Sequence, residues 1–175
     1  DNGLFRKNSN FFSNILAGDV MEAFIDPDNP DTCYHTHQNG GLTRTYDSYG
    51  ITPTSVVDIS PAGNLQGNWQ TPFVMDPNNS AIIYAGFKEL YKSTNRGDSW
   101  TTITSGQSNN NNLDEIEPTT NSNILYFSYD DKLFKTTNGG STWSNISGAL
   151  PNSHITHIVA HSENPNEVWV TFSGF

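Results

Sequence analysis

The chain has 175 residues, a formal net charge of −10, and only 8 Lys and Arg against 18 Asp and Glu. Binding to a phosphate backbone needs clustered basic residues, so this balance argues against a nucleic-acid partner. No apolar run approaches the roughly 20 residues that cross a bilayer, and the lone Cys33 allows neither an internal disulfide framework nor a zinc pattern.

In chain order the expected elements are short strands, and no segment keeps a 3.6-residue apolar period. The first unit runs 21–26, 32–36, 42–46 and 55–59. The second runs 71–76, 81–87, 90–94 and 101–104, and the third 114–117, 123–128, 133–137 and 144–146. A fourth opens with 155–160 and 167–171. Alternating β-branched and aromatic residues carry these assignments, as in Ile83-Tyr84-Ala85-Gly86-Phe87, Ile124-Leu125-Tyr126-Phe127 and Val168-Trp169-Val170.

An octapeptide punctuates the units. Ser93-Thr94-Asn95-Arg96-Gly97-Asp98-Ser99-Trp100 is echoed by Thr136-Thr137-Asn138-Gly139-Gly140-Ser141-Thr142-Trp143, at an offset of 43 residues. A fixed period of roughly 40–50 residues marks propeller blades or solenoid turns. Asn95 and Asn138 suit an Asx-type turn, Gly97 and Gly140 a positive φ, and Trp100 and Trp143 burial with the ring N–H near a polar partner. A worn copy, Thr45-Tyr46-Asp47-Ser48-Tyr49-Gly50, keeps Asp47 but places Thr52 where the tryptophan belongs. These residues, with Ser93 and Thr136, are expected to brace the outer hairpin of each blade rather than to react.

The octapeptide resembles the Asp-box, or bacterial neuraminidase repeat, S-x-D-x-G-x-[ST]-W, with Asn in place of Asp in both full copies. The wider unit, from Gly18-Asp19 and Asp26-Pro27 through Trp69, Asp76-Pro77 and Tyr84-Ala85-Gly86 to Val168-Trp169-Val170, is similar to secreted Asp-box propellers of Bacteroidota. The resemblance implies an all-β fold: an arc of about four four-stranded blades belonging to a larger ring. It implies a secreted, extracellular or cell-surface location and export by the type IX system. Xyloglucan-cleaving glycosidases and sortilin-like receptors share the fold, with different functions. The blade units are expected at 1–18 (partial), 19–68, 69–110, 111–152 and 153–175 (partial), all in one propeller domain. The 50-residue step from Pro27 to Pro77 points to an insertion at 61–68. Both termini read as cut, so a processed or truncated piece is expected, its remaining blades or adjacent domains lying elsewhere.

Propeller connectivity puts the loops entering the innermost strands, and those joining second to third strands, on one face. Asp19, Trp69, Asp130, Asp131 and His154 fall there and are the candidate ligand-binding residues: an aromatic platform for a sugar or peptide, and acceptors for hydroxyls. Cys33, His35 and His37 alternate along one strand and share a face, but no third or fourth metal ligand is evident, so no metal or cofactor is expected. His154, His157 and His161 read as unrelated, and the Asn run at 109–112 reads as a flexible loop tip. A sialidase needs an arginine cluster, and only Arg6, Arg44 and Arg96 exist. A glycosidase needs two placed carboxylates, and none of Asp19, Glu22 and Asp26 makes an evident pair. The expectation is a non-catalytic module of a larger secreted or surface protein, engaging glycan or protein through its loop face. Part of a xyloglucanase-like hydrolase, or purely structural blades, are the alternatives.

Overall fold

The computed structural model describes residues 4–7, 12–16, 18–46, 55–63 and 65–174. They form three complete four-stranded antiparallel sheets and two hairpins. The first hairpin is β1 (Leu4–Lys7) with β2 (Phe12–Leu16). Blade I follows as β3 (Val20–Ile25), β4 (Thr32–His37), β5 (Leu42–Tyr46) and β6 (Ser55–Asp58). Blade II holds β7 (Phe73–Asp76), β8 (Asn79–Gly86), β9 (Leu90–Ser93) and β10 (Thr101–Thr102). Blade III holds β11 (Glu115–Pro118), β12 (Leu125–Tyr129), β13 (Lys132–Thr136) and β14 (Ser144–Asn145). The hairpin β15 (Ile155–Ala160) with β16 (Val168–Phe172) opens blade IV. Each complete sheet runs in sequence order from inner to outer strand, and the inner strands β7, β11 and β15 neighbour one another. The fold is an all-β propeller arc, and among the described residues no helix is long and apolar enough to cross a membrane.

Strand limits differ from the sequence expectation by a few residues where local chemistry intervenes. Pro72 has no N–H to give, and the Thr71 hydroxyl is committed to the Asn68 carbonyl at 3.0 Å. Regular pairing therefore starts at Phe73. The fourth strand of blade II stops at Thr102 because the Thr104 hydroxyl, rather than a backbone carbonyl, accepts the Leu90 N–H at 2.8 Å. The expected loop tip at 109–112 is a hydrogen-bonded turn. Ser108 is buried and donates to the Lys88 carbonyl, while the Asn111 N–H closes on the Ser108 carbonyl at 3.0 Å.

The core lies between blades, not within them. Tyr34, Leu42 and Ile59 of blade I pack on Phe73, Ile83 and Phe87 of blade II. Tyr84 and Leu90 of blade II meet Ile116, Leu125 and Phe127 of blade III. Tyr126 and Leu133 then meet Ile155 and Ile158. Burying each such side chain stabilises by about 1.5–3 kcal/mol, so a blade is stable chiefly through its neighbours.

The twin octapeptides fasten this stack. Ser93 Oγ donates to Asn95 Oδ1 at 2.9 Å and accepts the Gly97 N–H at 2.8 Å, while Asn95 Oδ1 accepts the Ser99 N–H at 2.9 Å. Thr136, Asn138, Gly140 and Thr142 repeat this circuit at 2.9, 3.0 and 2.9 Å. Each tryptophan then reaches across to the preceding blade: Trp100 Nε1 donates to the Ile59 carbonyl at 2.6 Å and Trp143 Nε1 to the Ile103 carbonyl at 2.7 Å. The same isoleucines face the octapeptide glycines. A Cβ on Gly97, at φ +93°, would lie 2.8 Å from Ile59 Cδ1, and one on Gly140, at φ +96°, 3.0 Å from Ile103. The expected brace within a blade is thus also a clasp between blades. The worn copy beyond Tyr46, Asp47 included, lies outside the described residues.

Beside the first clasp runs a polar network. Arg96 Nε donates to Asp26 Oδ2 at 2.8 Å, and Arg44 donates to Asp98 Oδ1 at 2.7 Å and to the Arg96 carbonyl. Asp26 is fully buried and also accepts the Asp28 N–H at 2.9 Å. Burial pushes its carboxyl up, but the Arg96 guanidinium, Ser80 and the Asp28 amide outweigh burial and hold it below the ordinary range.

Candidate functional site

The loops sort onto two faces. The octapeptides share one face with the first hairpin turn of each blade, as the Arg96–Asp26 contact requires. The opposite face gathers the turns at 38–41, 87–89 and 130–131 with the segments that enter the inner strands. There the 65–70 strap is held on both sides. Asn39, with φ +61°, donates its N–H to the Trp69 carbonyl at 3.3 Å and accepts the Gly67 N–H at 3.0 Å. On the other side Asn68 Nδ2 donates to Asp114 Oδ1 at 2.8 Å and to the Leu113 carbonyl at 3.1 Å. Trp69 rides on this strap with 59% of its surface exposed.

A cleft lies on each side of the strap. One, of about 660 Å³, is lined by the 38–41 turn, Asp58, Ser60, Leu65, Gln66 and Phe87. The other, of about 510 Å³, is lined by Glu22, Asn68, Gln70, Asp114, Glu115, Glu117, His154 and His157. The insertion inferred at 61–68 supplies the shared wall.

The second cleft is acidic and internally bonded. Asp114 Oδ2 accepts the Asp130 N–H at 2.7 Å and lies 3.7 Å from His154 Nδ1, which is 3.9 Å from Asp130 Oδ1. His157 Nδ1 pairs with Glu115 Oε2 at 3.0 Å, and Glu117 Oε1 accepts the Ala160 N–H at 2.8 Å. Burial pushes the carboxyls of Glu22, Glu115 and Glu117 above the ordinary glutamate range. Glu115 adds to the rise at Glu22, while His157 opposes it at Glu115.

The sequence candidates divide around this geometry. His154, Asp130 and Trp69 converge on the strap and the second cleft. Asp131 turns aside into an ion pair with Lys132 at 2.6 Å, and Asp19 stands half-buried ahead of β3, outside the lining of either cleft. His154 and His157, read from the sequence as unrelated, line one cleft together. That reading rested on the three straddling a loop and a strand with no shared face; β15 carries a register shift between Ile155 and His157, and His154 and His157 reach the same cleft. His161 does stand apart, its Nδ1 accepting the Glu163 and Asn164 N–H groups.

Sequence reasoning passed over Glu22, Glu115 and His157 as a set. Strand pairing shows the signal: Phe24 faces Tyr34, Glu117 faces Tyr126 and Val159 faces Trp169. The set stands two residues ahead of each, at one repeat position. His35 and His37 meet edge to face, ring centroids 5.4 Å apart, and burial, then His37, lowers the His35 pKa to about 4. Among the described residues no group of three or more His, Cys, Asp or Glu is placed to hold a metal ion.

No family model and no curated protein matches this chain. Solved structures do. An ancestral GH74 enzyme is 18% identical with a TM-score of 0.70, over 98% of this chain and 25% of that one. The GH74 xyloglucanase from Xanthomonas campestris is 14% identical with a TM-score of 0.66, over 93% of this chain and 30% of that one. YCF48 from Cyanidioschyzon merolae is 7% identical with a TM-score of 0.62, over 91% and 52%. At these identities the likeness establishes the β-propeller fold. The chain spans less than a third of the length of these GH74 structures.

Proposed function

We propose that this chain is a glycan-binding module of a secreted or cell-surface protein, engaging a neutral polysaccharide across the strap between the two clefts. The observation that carries the reading is Trp69. A large exposed ring on a strap fixed from both sides offers a flat apolar platform of the kind that stacks on a sugar ring. The flanking clefts supply amides, hydroxyls and carboxylates that can bond to sugar hydroxyls, as in Gln38, Gln66, Ser60, Asn68 and Asp114. Electrostatics disfavours an anionic ligand, because among the described residues no arginine or lysine lines either cleft. Binding of soluble β-glucans and other neutral polysaccharides, measured by affinity electrophoresis or glycan array, is expected and is expected to vanish in Trp69→Ala. Binding that Trp69→Ala leaves intact sinks the reading.

A second reading, a fragment of a glycoside hydrolase, rests on Glu22 and Glu115. Both line one cleft, both are raised by burial, and each raises or is eased by a neighbour there, which is how one carboxyl is kept as an acid beside a base. The GH74 structures to which the chain is similar are compatible with it. Release of reducing ends from a β-glucan, abolished by Glu22→Gln with the fold intact, selects this reading. Binding without hydrolysis in the wild-type protein refutes it.

A further inference from the structure

Asp114 is the hub of the second cleft, because its carboxylate serves two segments at once. Oδ1 accepts the Asn68 side-chain N–H at 2.8 Å and so pins the strap that carries Trp69. Oδ2 accepts the Asp130 N–H at 2.7 Å and so holds a turn in which Asp130 stands at φ +51°, backbone that a non-glycine residue keeps only where its surroundings impose it. The Asp130 carbonyl in turn accepts the Ile155 N–H at 2.8 Å, which sets the neighbouring His154 against both carboxylates.

His154 Nδ1 lies 3.7 Å from Asp114 Oδ2 and 3.9 Å from Asp130 Oδ1, too far for a hydrogen bond and near enough for an ion pair once the ring is charged. Imidazole side chains gain that charge in mild acid, at about pH 5–8. Asp114 is 20% exposed and Asp130 75%, so the attraction to Asp114 is the less screened of the two. The other charged groups nearby are engaged or stand further off: Asp131 pairs with Lys132, Glu115 pairs with His157, and Glu22 and Glu117 line the cleft beyond. Among the described residues His154 and His157 are the only lining groups that can become cationic.

We propose that protonation of His154 tightens the hold of Asp114 on the strap, so that Trp69 is fixed more firmly, and a polysaccharide stacked on it is bound more tightly, in mild acid. The inference rests on Trp69 as the binding platform. Charging the ring draws the Asp114 carboxylate and the 130–131 turn towards it, and the strap follows through Asn68. Coupling of this kind is reciprocal: a ligand that needs the fixed strap favours the charged ring, so affinity rises as pH falls through the range in which the ring takes up its proton. His157 has no such route, because its Nδ1 is bonded to Glu115 Oε2 and, among the described residues, neither of that pair bonds to the strap.

The test has a readout that needs no ligand. The protein is labelled with fluorotryptophan, its Trp69 resonance is assigned with Trp69→Phe, and it is followed by fluorine NMR from pH 8 to pH 6. A shift of the Trp69 resonance is expected, lost in His154→Gln and kept in His157→Gln. In parallel, affinity for a soluble β-glucan is expected to be roughly two- to fivefold higher at pH 6 than at pH 8, the scale of one part-exposed ion pair. His154→Gln is expected to level the two affinities, and His154→Lys, cationic throughout, to hold the higher one at both. A Trp69 resonance that does not move with pH, or that moves as much in His154→Gln, overturns the proposal, as does a wild-type β-glucan affinity equal at the two pH values. Absence of β-glucan binding at both instead counts against Trp69 as a glycan platform, and the fluorine titration then decides the coupling by itself.

Discussion

Gly97→Ala tests the clasp most directly, because Gly139→Ala provides a matched control. Both glycines have positive φ, +93° and +68°, and both sit in an octapeptide. At Gly97 a Cβ would meet Ile59 at 2.8 and 2.9 Å, whereas at Gly139 nothing lies nearer than Asn123 Oδ1 at 3.8 Å. A non-glycine residue held in such backbone costs about 1–3 kcal/mol. Forcing a methyl into packed side chains costs about 1–3 kcal/mol more. Loss of unfolded-state freedom returns about 0.4–1 kcal/mol. The sum is about 3 kcal/mol for Gly97→Ala and about 1 kcal/mol for Gly139→Ala. Urea unfolding followed by tryptophan fluorescence is expected to show the difference in midpoint, and Trp100, whose N–H rests on the same Ile59, reports locally. Equal losses in the two variants refute the reasoning, since the contact with the preceding blade is the main difference between them.

Arg96→Gln leaves the buried Asp26 carboxylate without its cation. With Arg96 partly exposed, the loss is expected at about 2 kcal/mol, between an exposed pair and a buried one. Asp26 is depressed in the folded protein, so its contribution is present above the ordinary carboxylate range and disappears as pH falls through the folded value. The gap between wild type and Arg96→Gln should therefore close in acid, as denaturation midpoints at pH 7 and pH 3 would reveal. His35 has the opposite charge type and the same outcome: its folded pKa of about 4 lies below the ordinary histidine value of 6.5, so stability is lost as pH falls across that window. His35→Leu should flatten the midpoint between pH 6.5 and 4, and an unchanged slope counts against a neutral buried imidazole. Trp100→Phe keeps the packing but strands the Ile59 carbonyl, for an expected loss of about 1–3 kcal/mol by the same urea assay.

The blade architecture was legible in the sequence because its signals are local. Alternation at Ile83-Tyr84-Ala85 and the octapeptide's Ser/Thr, Asn, Gly and Trp each answer to a bond or dihedral within a few residues, and the structure places them as expected. Trp69 and His154 could be assigned to one face by connectivity alone. The partners of those residues could not, for they lie far apart in sequence: Asn68 on Asp114, Asn39 on the Trp69 strap, Ile59 under Gly97.

By itself, then, the sequence determined that this protein repeats a four-stranded unit, that two of the units carry a braced turn between their third and fourth strands, and which loops share a face. Only the tertiary structure decided that the braces join blades, that a strap divides two clefts, and that Glu22, Glu115, His154 and His157 line one of them. Backbone chemistry within a repeat is written in neighbouring residues, whereas contacts between repeats depend on strand register and blade packing, and a single register shift such as that at β15 is enough to redirect a side chain.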